Sequence, residues 1–236
     1  MPTDFSLVDL VEGPVFLTGL SCLVWWAAKA LHRRIPFALL HPVLTSIAVL
    51  IAVLVLAEID YDTYRDGTAI IDLLLGVSVV ALGLPLYRRI AVLRRNMAGV
   101  ATGVVFGGLV GIVSAVVPFL LMGADAASAV SAAPSSVTTP IAVVASEMSG
   151  GIPALTAAVV VITGIMGAVV GPIVLRLIGV TNPVAFGLAL GTAAHGIGTA
   201  RALQEGELQG ASASVGLCLN GLFTAMIMPL VLALLL

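Results

Sequence analysis

Apolar residues come in blocks of about twenty separated by short polar breaks, the pattern of helices that cross a bilayer's hydrocarbon core. Seven blocks are long enough: Pro14 to Leu31, Leu39 to Ala57, Thr68 to Tyr87, Ala98 to Met122, Ala154 to Leu175, Pro183 to Leu203 and Gly216 to Leu236. Between the fourth and fifth lies "GADAASAVSAAPSSVTTPIAVVASEMSGGIP", rich in Ser, Thr, Ala, Gly and Pro. Its apolar part, Val137 to Ala145, is too short to cross alone, so the pattern predicts a broken or re-entrant segment there. The expected fold is all-α: a single polytopic transmembrane domain, residues 1–236, of about seven transmembrane helices plus one broken or re-entrant segment. Gly76, Gly83 and Pro85 interrupt the third block much as Pro140 interrupts the broken one. Internal repeats fit this faint similarity, although no alignment of halves is defensible from sequence.

Composition agrees with the pattern: 60% of the 236 residues are hydrophobic and 9% charged, with a mean hydropathy of +1.20. A net charge of −2 gives no basic field for nucleic acid. The two cysteines, Cys22 and Cys218, lie in apolar blocks and make no metal or disulfide framework. The opening "MPTDFSLVDLVEGPVF" lacks the basic start of a cleaved signal peptide.

Charge position sets the expected topology. Lys29, Arg33 and Arg34 follow the first block and Arg88, Arg89, Arg94 and Arg95 the third, which assigns both loops to the cytoplasm. "EIDYDTYRDG", with Glu58, Asp60, Asp62 and Asp66, falls outside, as does the N-terminus. A re-entrant segment at Val137 brings Arg176 to the cytoplasm, whereas a crossing one reverses the C-terminal half.

The break carries the first candidate chemistry. Pro140 lacks an N–H and disfavours helical geometry at Thr139, and Ser136, Thr138 and Thr139 supply hydroxyls beside it. Carriers aim such half-helix N-termini at anionic substrate groups, while the plainer alternative is a kink satisfied by its own hydroxyls. Glu147 is the segment's only acid past the break, a coupling candidate or an interfacial residue. "LGTAAHGIGTARALQEGE" is read as a straight helix, with Gly191, Ala194 and Gly198 on one arc and His195 and Arg201 on its flanks. His195, Gly196, Gly198, Thr199 and Arg201 are candidates for holding an anion. For His195 the competing reading is a core histidine donating to a carbonyl, and for Arg201 a side chain that snorkels beside Glu205 and Glu207. Gly216, Asn220 and Thr224 form a polar line suited first to packing and second to substrate contact. No metal-ligand spacing, cofactor loop or catalytic constellation is present, so neither an enzyme nor a cofactor is expected.

"SSVTTPIA", "GGIPALTA", "TGIMGAVVGP", "GTAAHGIGTARALQEGELQGA" and "LLGVSVVALGLPLY" resemble the signature segments of the LrgB/CidB family, from about His41 onward. That family includes antiholin-like and holin-like bacterial proteins linked to murein hydrolase export and autolysis, and the plastidal glycolate/glycerate translocator. The resemblance implies a multi-pass cell-membrane protein that carries small monocarboxylates (glycolate, glycerate, lactate or pyruvate) or regulates lysis. It also implies a membrane partner of the LrgA/CidA type. Many Gly and Ala positions suit helix association, so a homo-oligomer is expected. The family commonly has Pro-Lys-Ser before Val-Thr-Thr-Pro, whereas Pro134, Ser135 and Ser136 stand here, which moves the expected cation to Arg201 or His195. In the third block Gly76, Val77, Ser78, Val79 and Val80 replace the family's Gly-Pro-Ala-Thr-Val.

Overall fold

The structure, a computed structural model, describes residues 12–35, 40, 42–81 and 83–236. These residues are helical with no strand among them, and two compact units divide the chain after Ala81.

The N-terminal unit contains α1 (Pro14–Arg34), α2 (Pro42–Leu56), α3 (Tyr61–Gly67) and α4 (Ala69–Ala81). Leu39 and His41 lie outside the described residues, so the second expected block is seen from Pro42. The acidic stretch between the second and third blocks forms α3, where the Asp60 carboxylate caps the helix by accepting from the Asp62 N–H at 3.0 Å. Thr18 donates to the Gly67 carbonyl at 3.1 Å, and the Ser21 hydroxyl meets the Tyr64 hydroxyl at 2.8 Å, which ties α3 to α1.

The C-terminal unit contains α5 (Gly83–Arg95), α6 (Met97–Leu121), α7 (Ala126–Ala132), α8 (Thr139–Met148), α9 (Pro153–Leu177), α10 (Pro183–Glu205) and α11 (Glu207–Leu235). The third expected block, Thr68 to Tyr87, is covered by α4 and α5 on either side of Leu82, which lies outside the described residues. One expected span is corrected here. The sixth, Pro183 to Leu203, is not a through-going helix: Ala194 (φ −132°, ψ 22°) and His195 (φ 40°, ψ −132°) break α10 at its middle. Among the described residues four helices, α1, α6, α9 and α11, are long and apolar enough to cross a membrane, and α2 is a shorter apolar helix.

Both breaks turn the chain back. After α7 the chain turns through a buried stretch from Ala133 to Val137, and α8 returns beside α7. The return is fixed by contacts: the Ile152 N–H donates to Ser131 Oγ at 2.7 Å, and a Cβ on Gly151 would lie 3.1 Å from Val130 Cγ1. In α10 the second half folds onto the first. Gly198 lies against the Leu190 carbonyl oxygen, and Ala202 shares a buried cluster with Phe186 and Leu190. The region Gly123 to Pro153 is thus re-entrant, and α10 forms a second hairpin.

The hairpins open at opposite ends of the unit. Ile112 and Val116 of α6 pack with Ala129 and Val130 of the first hairpin and with Met228, Val231 and Leu232 of α11. Val100 and Val104 pack with Val184 and Leu188 of the second hairpin and with Ala211 of α11. One end carries Arg88, Arg94, Arg95, Arg176 and Arg201 with Glu205 and Glu207; the other carries Asp125 and Glu147. The two tips therefore meet in the interior, between a basic and an acidic end.

This arrangement is an inverted repeat. Helices α6 and α9 are both 25 residues long and start 56 positions apart (97 and 153). Each ends at a glycine with φ +75°, Gly123 and Gly179, also 56 apart. Each glycine closes a Schellman turn, with Ala124 N–H donating to Phe119 O and Val180 N–H to Leu175 O, both at 2.9 Å. An N-cap side chain, Asp125 or Asn182, then starts the hairpin. Because α6 and α9 run in opposite directions, the two helix-plus-hairpin units point opposite ways.

Glycine sets how closely these parts approach. Gly187 and Gly191 lie one turn apart against the backbone carbonyls of Gln209 and Ala213, so the first half of α10 packs backbone to backbone on α11. A Cβ at either position would overlap a main-chain oxygen, which no rotamer change relieves. On α9, Gly164 makes room for the His195 ring and Gly167 for Ala194. Gly191, Ala194 and Gly198 therefore face three different partners, not one arc.

Candidate functional site

Two links join the hairpin tips, one polar throughout and one that combines apolar packing with a hydrogen bond. Asn220 of α11 donates through Nδ2 to Ser136 Oγ of the first tip at 3.1 Å and to the Thr192 carbonyl of the second at 3.0 Å. Asn220 is 1% exposed, so these bonds replace water that the interior lacks. Thr224, one turn on, donates to Asn220 Oδ1 at 3.5 Å. On the other side, Val137 of the first tip packs with Ala142 and Val160. The Val160 carbonyl accepts from His195 Nε2 at 3.0 Å, which places the proton on Nε2. Thr199 Oγ1 donates to the His195 carbonyl at 2.8 Å and so anchors the first turn of the returning half-helix.

A cavity of about 830 Å³ lies beside the first of these links. One wall is α6, through Gly99, Gly103, Gly107 and Gly111, which recur every fourth residue and leave a groove along the helix. Both hairpins line the opposite wall, through Ser135 and Ser136 of the first and Leu188, Ala189, Thr192 and Ala193 of the second, with Thr163 of α9 between. Among the described residues of the lining, none is ionisable.

The residues expected from sequence fall into three groups. Ser136 and Asn220 are buried at the tip contact, and Ser136 also lines the cavity. Thr138, Thr139, His195, Gly196, Gly198 and Thr199 lie at or just past the tips, outside the cavity lining. Thr138 is the N-cap of α8 by backbone geometry alone, since its side chain makes no cap bond, and Pro140 is exposed. Arg201 and Glu147 are apart from the tips. Arg201 pairs with Glu205 Oε1 at 2.6 Å at the basic end, as Arg176 does with Glu205 Oε2 at 2.6 Å. Glu147 is exposed in the last turn of α8.

Sequence reasoning missed Thr192, Thr163 and the α6 groove. The signal for the groove was present as four glycines at a spacing of four in "GVATGVVFGGLVG". Thr192 had no local signal: it matters because the helix breaks two residues later, and that break follows no proline.

The hairpin tips also collect helix ends. The ten-residue α8 begins at Thr139, and the half-helix 196–205 begins after His195, so both present N-terminal N–H groups in the interior. The carbonyl ends of α7 and of the first half of α10 lie at the same tips. Outside the spans, hydrogen bonds from the Ser128 hydroxyl and then its N–H hold the Asp125 carboxyl below the usual carboxylate range.

Comparison with known proteins places these features in a family. A family model described as LrgB-like matches residues 21–234. The chain is 35% identical over 216 residues to the uncharacterized protein YwbG of Bacillus subtilis, covering 91% of this chain and 95% of that one. It is 33% identical over 214 residues to an uncharacterized protein of Haemophilus influenzae, covering 91% and 93%. It is 30% identical over 194 residues to the antiholin-like protein LrgB of Bacillus mycoides, covering 82% and 84%. No solved structure matches the chain. The paired hairpins are thus those of a multi-pass membrane protein, and the chain belongs to the LrgB-like family.

Proposed function

We propose that this protein carries small monocarboxylates of the glycolate, glycerate, lactate or pyruvate class across the cell membrane, the carboxylate being held where the hairpin tips meet. One observation carries this reading: two oppositely directed hairpins bring two half-helix N-termini together in the interior. Inverted repeats with broken helices and a midplane site are the construction of many secondary carriers. The positive end of each half-helix favours an anion without a buried cation. In this reading Ser136, Thr138, Thr139 and Pro140 form one side of the site, and His195, Gly196, Gly198 and Thr199 the other, with Asn220 bridging. Arg201, engaged by Glu205 at the basic end, acts at the entrance rather than on the held carboxylate. His195 and Glu147 are the candidates for coupling to protons. The positive-inside rule assigns the basic end to the cytoplasm.

Purified protein in liposomes, offered each of the four radiolabelled acids under a pH gradient and then a sodium gradient, is expected to accumulate at least one. Absence of uptake in every combination contradicts the carrier reading.

The names of relatives favour a second reading. An antiholin-like protein is 30% identical, which supports a membrane assembly, with itself or a small membrane partner of the LrgA/CidA type, that controls murein hydrolase export and autolysis. The carrier reading rests on geometry and has no such support from names. Thr138→Ala and His195→Ala discriminate the two: loss of uptake with assembly size unchanged supports the carrier. Lysis phenotypes that respond only to bulky substitution at Gly191 or Gly198 support the assembly.

A further inference from the structure

Among the described residues of the C-terminal unit, one buried side-chain polar atom has no hydrogen-bond partner. Thr192 is 5% exposed, yet its Oγ1 has no hydrogen-bond partner among the described residues. An orphaned hydroxyl in an apolar interior is costly, which makes it a natural place for a ligand. Resting on the carrier reading above, we propose that Thr192 and Ser136 form the subsite that takes the carboxyl group of the carried acid, one hydroxyl from each hairpin.

Each residue lines the cavity, and each hydroxyl has a free hydrogen-bonding capacity. Ser136 Oγ accepts from Asn220, which leaves its own proton to donate. It stands 3.4 Å from the position of a Cβ on Gly111, a residue of the cavity wall. The Thr192 methyl, Cγ2, stands 3.1 Å from a Cβ position on Gly107, one turn earlier on the same wall, while Oγ1 stands 2.9 Å from a Cβ position on Gly216 of α11. Threonine in a helix divides between two χ1 rotamers. Rotation about χ1 brings the Thr192 hydroxyl toward the groove, and no bond to a described residue is lost. Asn220 holds the Thr192 backbone and the Ser136 side chain on the same amide nitrogen, so the two hydroxyls come as a pair.

The chemistry of the lining selects the ligand. With no ionisable side chain among the described residues of the lining, recognition falls to hydrogen bonds, and a carboxyl group offers two oxygens to two hydroxyls. The rest of the acid lies along the α6 glycines. Because the pair spans both repeats, the carboxyl is gripped only when both tips are in place.

Uptake kinetics in proteoliposomes test this, with glycolate, glycerate, lactate and pyruvate as probes. Thr192→Val keeps shape and removes the hydroxyl, and loss of one hydrogen bond raises KM by about five- to tenfold. Thr192→Ser restores it, and Ser136→Ala shows a similar rise. An unchanged KM in Thr192→Val, with wild-type protein active, overturns the subsite and leaves the carrier reading standing. Inactivity of wild-type protein toward all four acids overturns the carrier reading and the subsite with it. A second measurement covers the case of a misfolded valine variant: Thr192→Cys, made in a Cys22→Ser, Cys218→Ser background, is modified by a small methanethiosulfonate. Protection by a transported acid supports the subsite, and an unaltered modification rate overturns it.

Discussion

The two hairpins do the same job by different means. The first turns through six residues, Ala133 to Thr138, whose local chemistry already opposes a helix: two prolines, two serines and two threonines lie between Pro134 and Pro140. The second turns at Ala194 and His195 without a proline, and a non-glycine residue takes φ +40° although Gly196 stands next to it. Such a backbone costs about 1–3 kcal/mol and persists only where the surroundings impose it. Here the surroundings are specific: the ring bonded to the Val160 carbonyl, the space at Gly164, and the seats of Gly187 and Gly191 on the α11 backbone. A break can be written locally or imposed by packing, and only the first kind is visible in a one-dimensional pattern.

The largest expected effect comes from removing the packing that imposes the second break. Gly191→Leu drives a side chain into the Ala213 carbonyl and is expected to abolish the folded protein in detergent, as read by monodisperse elution in size exclusion. A substitution of equal bulk at Gly19, where no described residue stands within 4 Å of a Cβ, leaves elution unchanged.

A smaller and more diagnostic effect separates strain from bonding at His195. Both His195→Ala and His195→Gly lose the bond to Val160, but glycine accepts φ +40° without penalty. The glycine variant is therefore expected to be the more stable by about 1 kcal/mol, from thermal unfolding in detergent. Equal stability, or a less stable glycine variant, removes strain from the account of this hairpin. In the first hairpin Thr138→Ala costs under about 0.5 kcal/mol, because that side chain makes no cap bond.

The smallest effect distinguishes the residues that start the hairpins. Asp125 caps the beginning of the first and Asn182 that of the second, and only Asp125 titrates. Since the folded pKa of Asp125 is depressed by its bonds to Ser128, its contribution is present above the unfolded carboxylate pKa and is lost as pH falls through the folded value. The stability difference between wild type and Asp125→Asn is expected to shrink over that fall, measured by thermal shift across acidic buffers. Asn182→Asp introduces the same dependence at the other hairpin.

Legibility in the sequence follows the same division. The apolar blocks of α1, α6, α9 and α11 announce themselves by length, and the first break by Pro140 and its hydroxyls. The block Pro183 to Leu203 resembles one more span, because its break depends on contacts with α9 and α11 that no local window contains. For that reason His195 and Arg201 read as flanks of one helix face, when one sits at a tip and the other beside Glu205 at the basic end. Thr192 escapes a reading of the sequence because its surroundings, Gly107 and Gly216, are remote along the chain. The repeat is faint in sequence for a related reason: what recurs after 56 positions is helix length, a Schellman glycine and an N-cap, while the tips "PSSVTTP" and "TAAHGIG" share little.

The central claim is that the two hairpins enter from opposite faces and each returns to its own. Single cysteines at Asp125, Met148, Thr181 and Gln204, in a Cys22→Ser, Cys218→Ser background, test it by labelling intact cells with an impermeant maleimide before and after permeabilisation. Asp125 and Met148 are expected to label from one side, and Thr181 and Gln204 from the other. Opposite accessibility of Asp125 and Met148, or of Thr181 and Gln204, means that the hairpin between them crosses the membrane and contradicts the account.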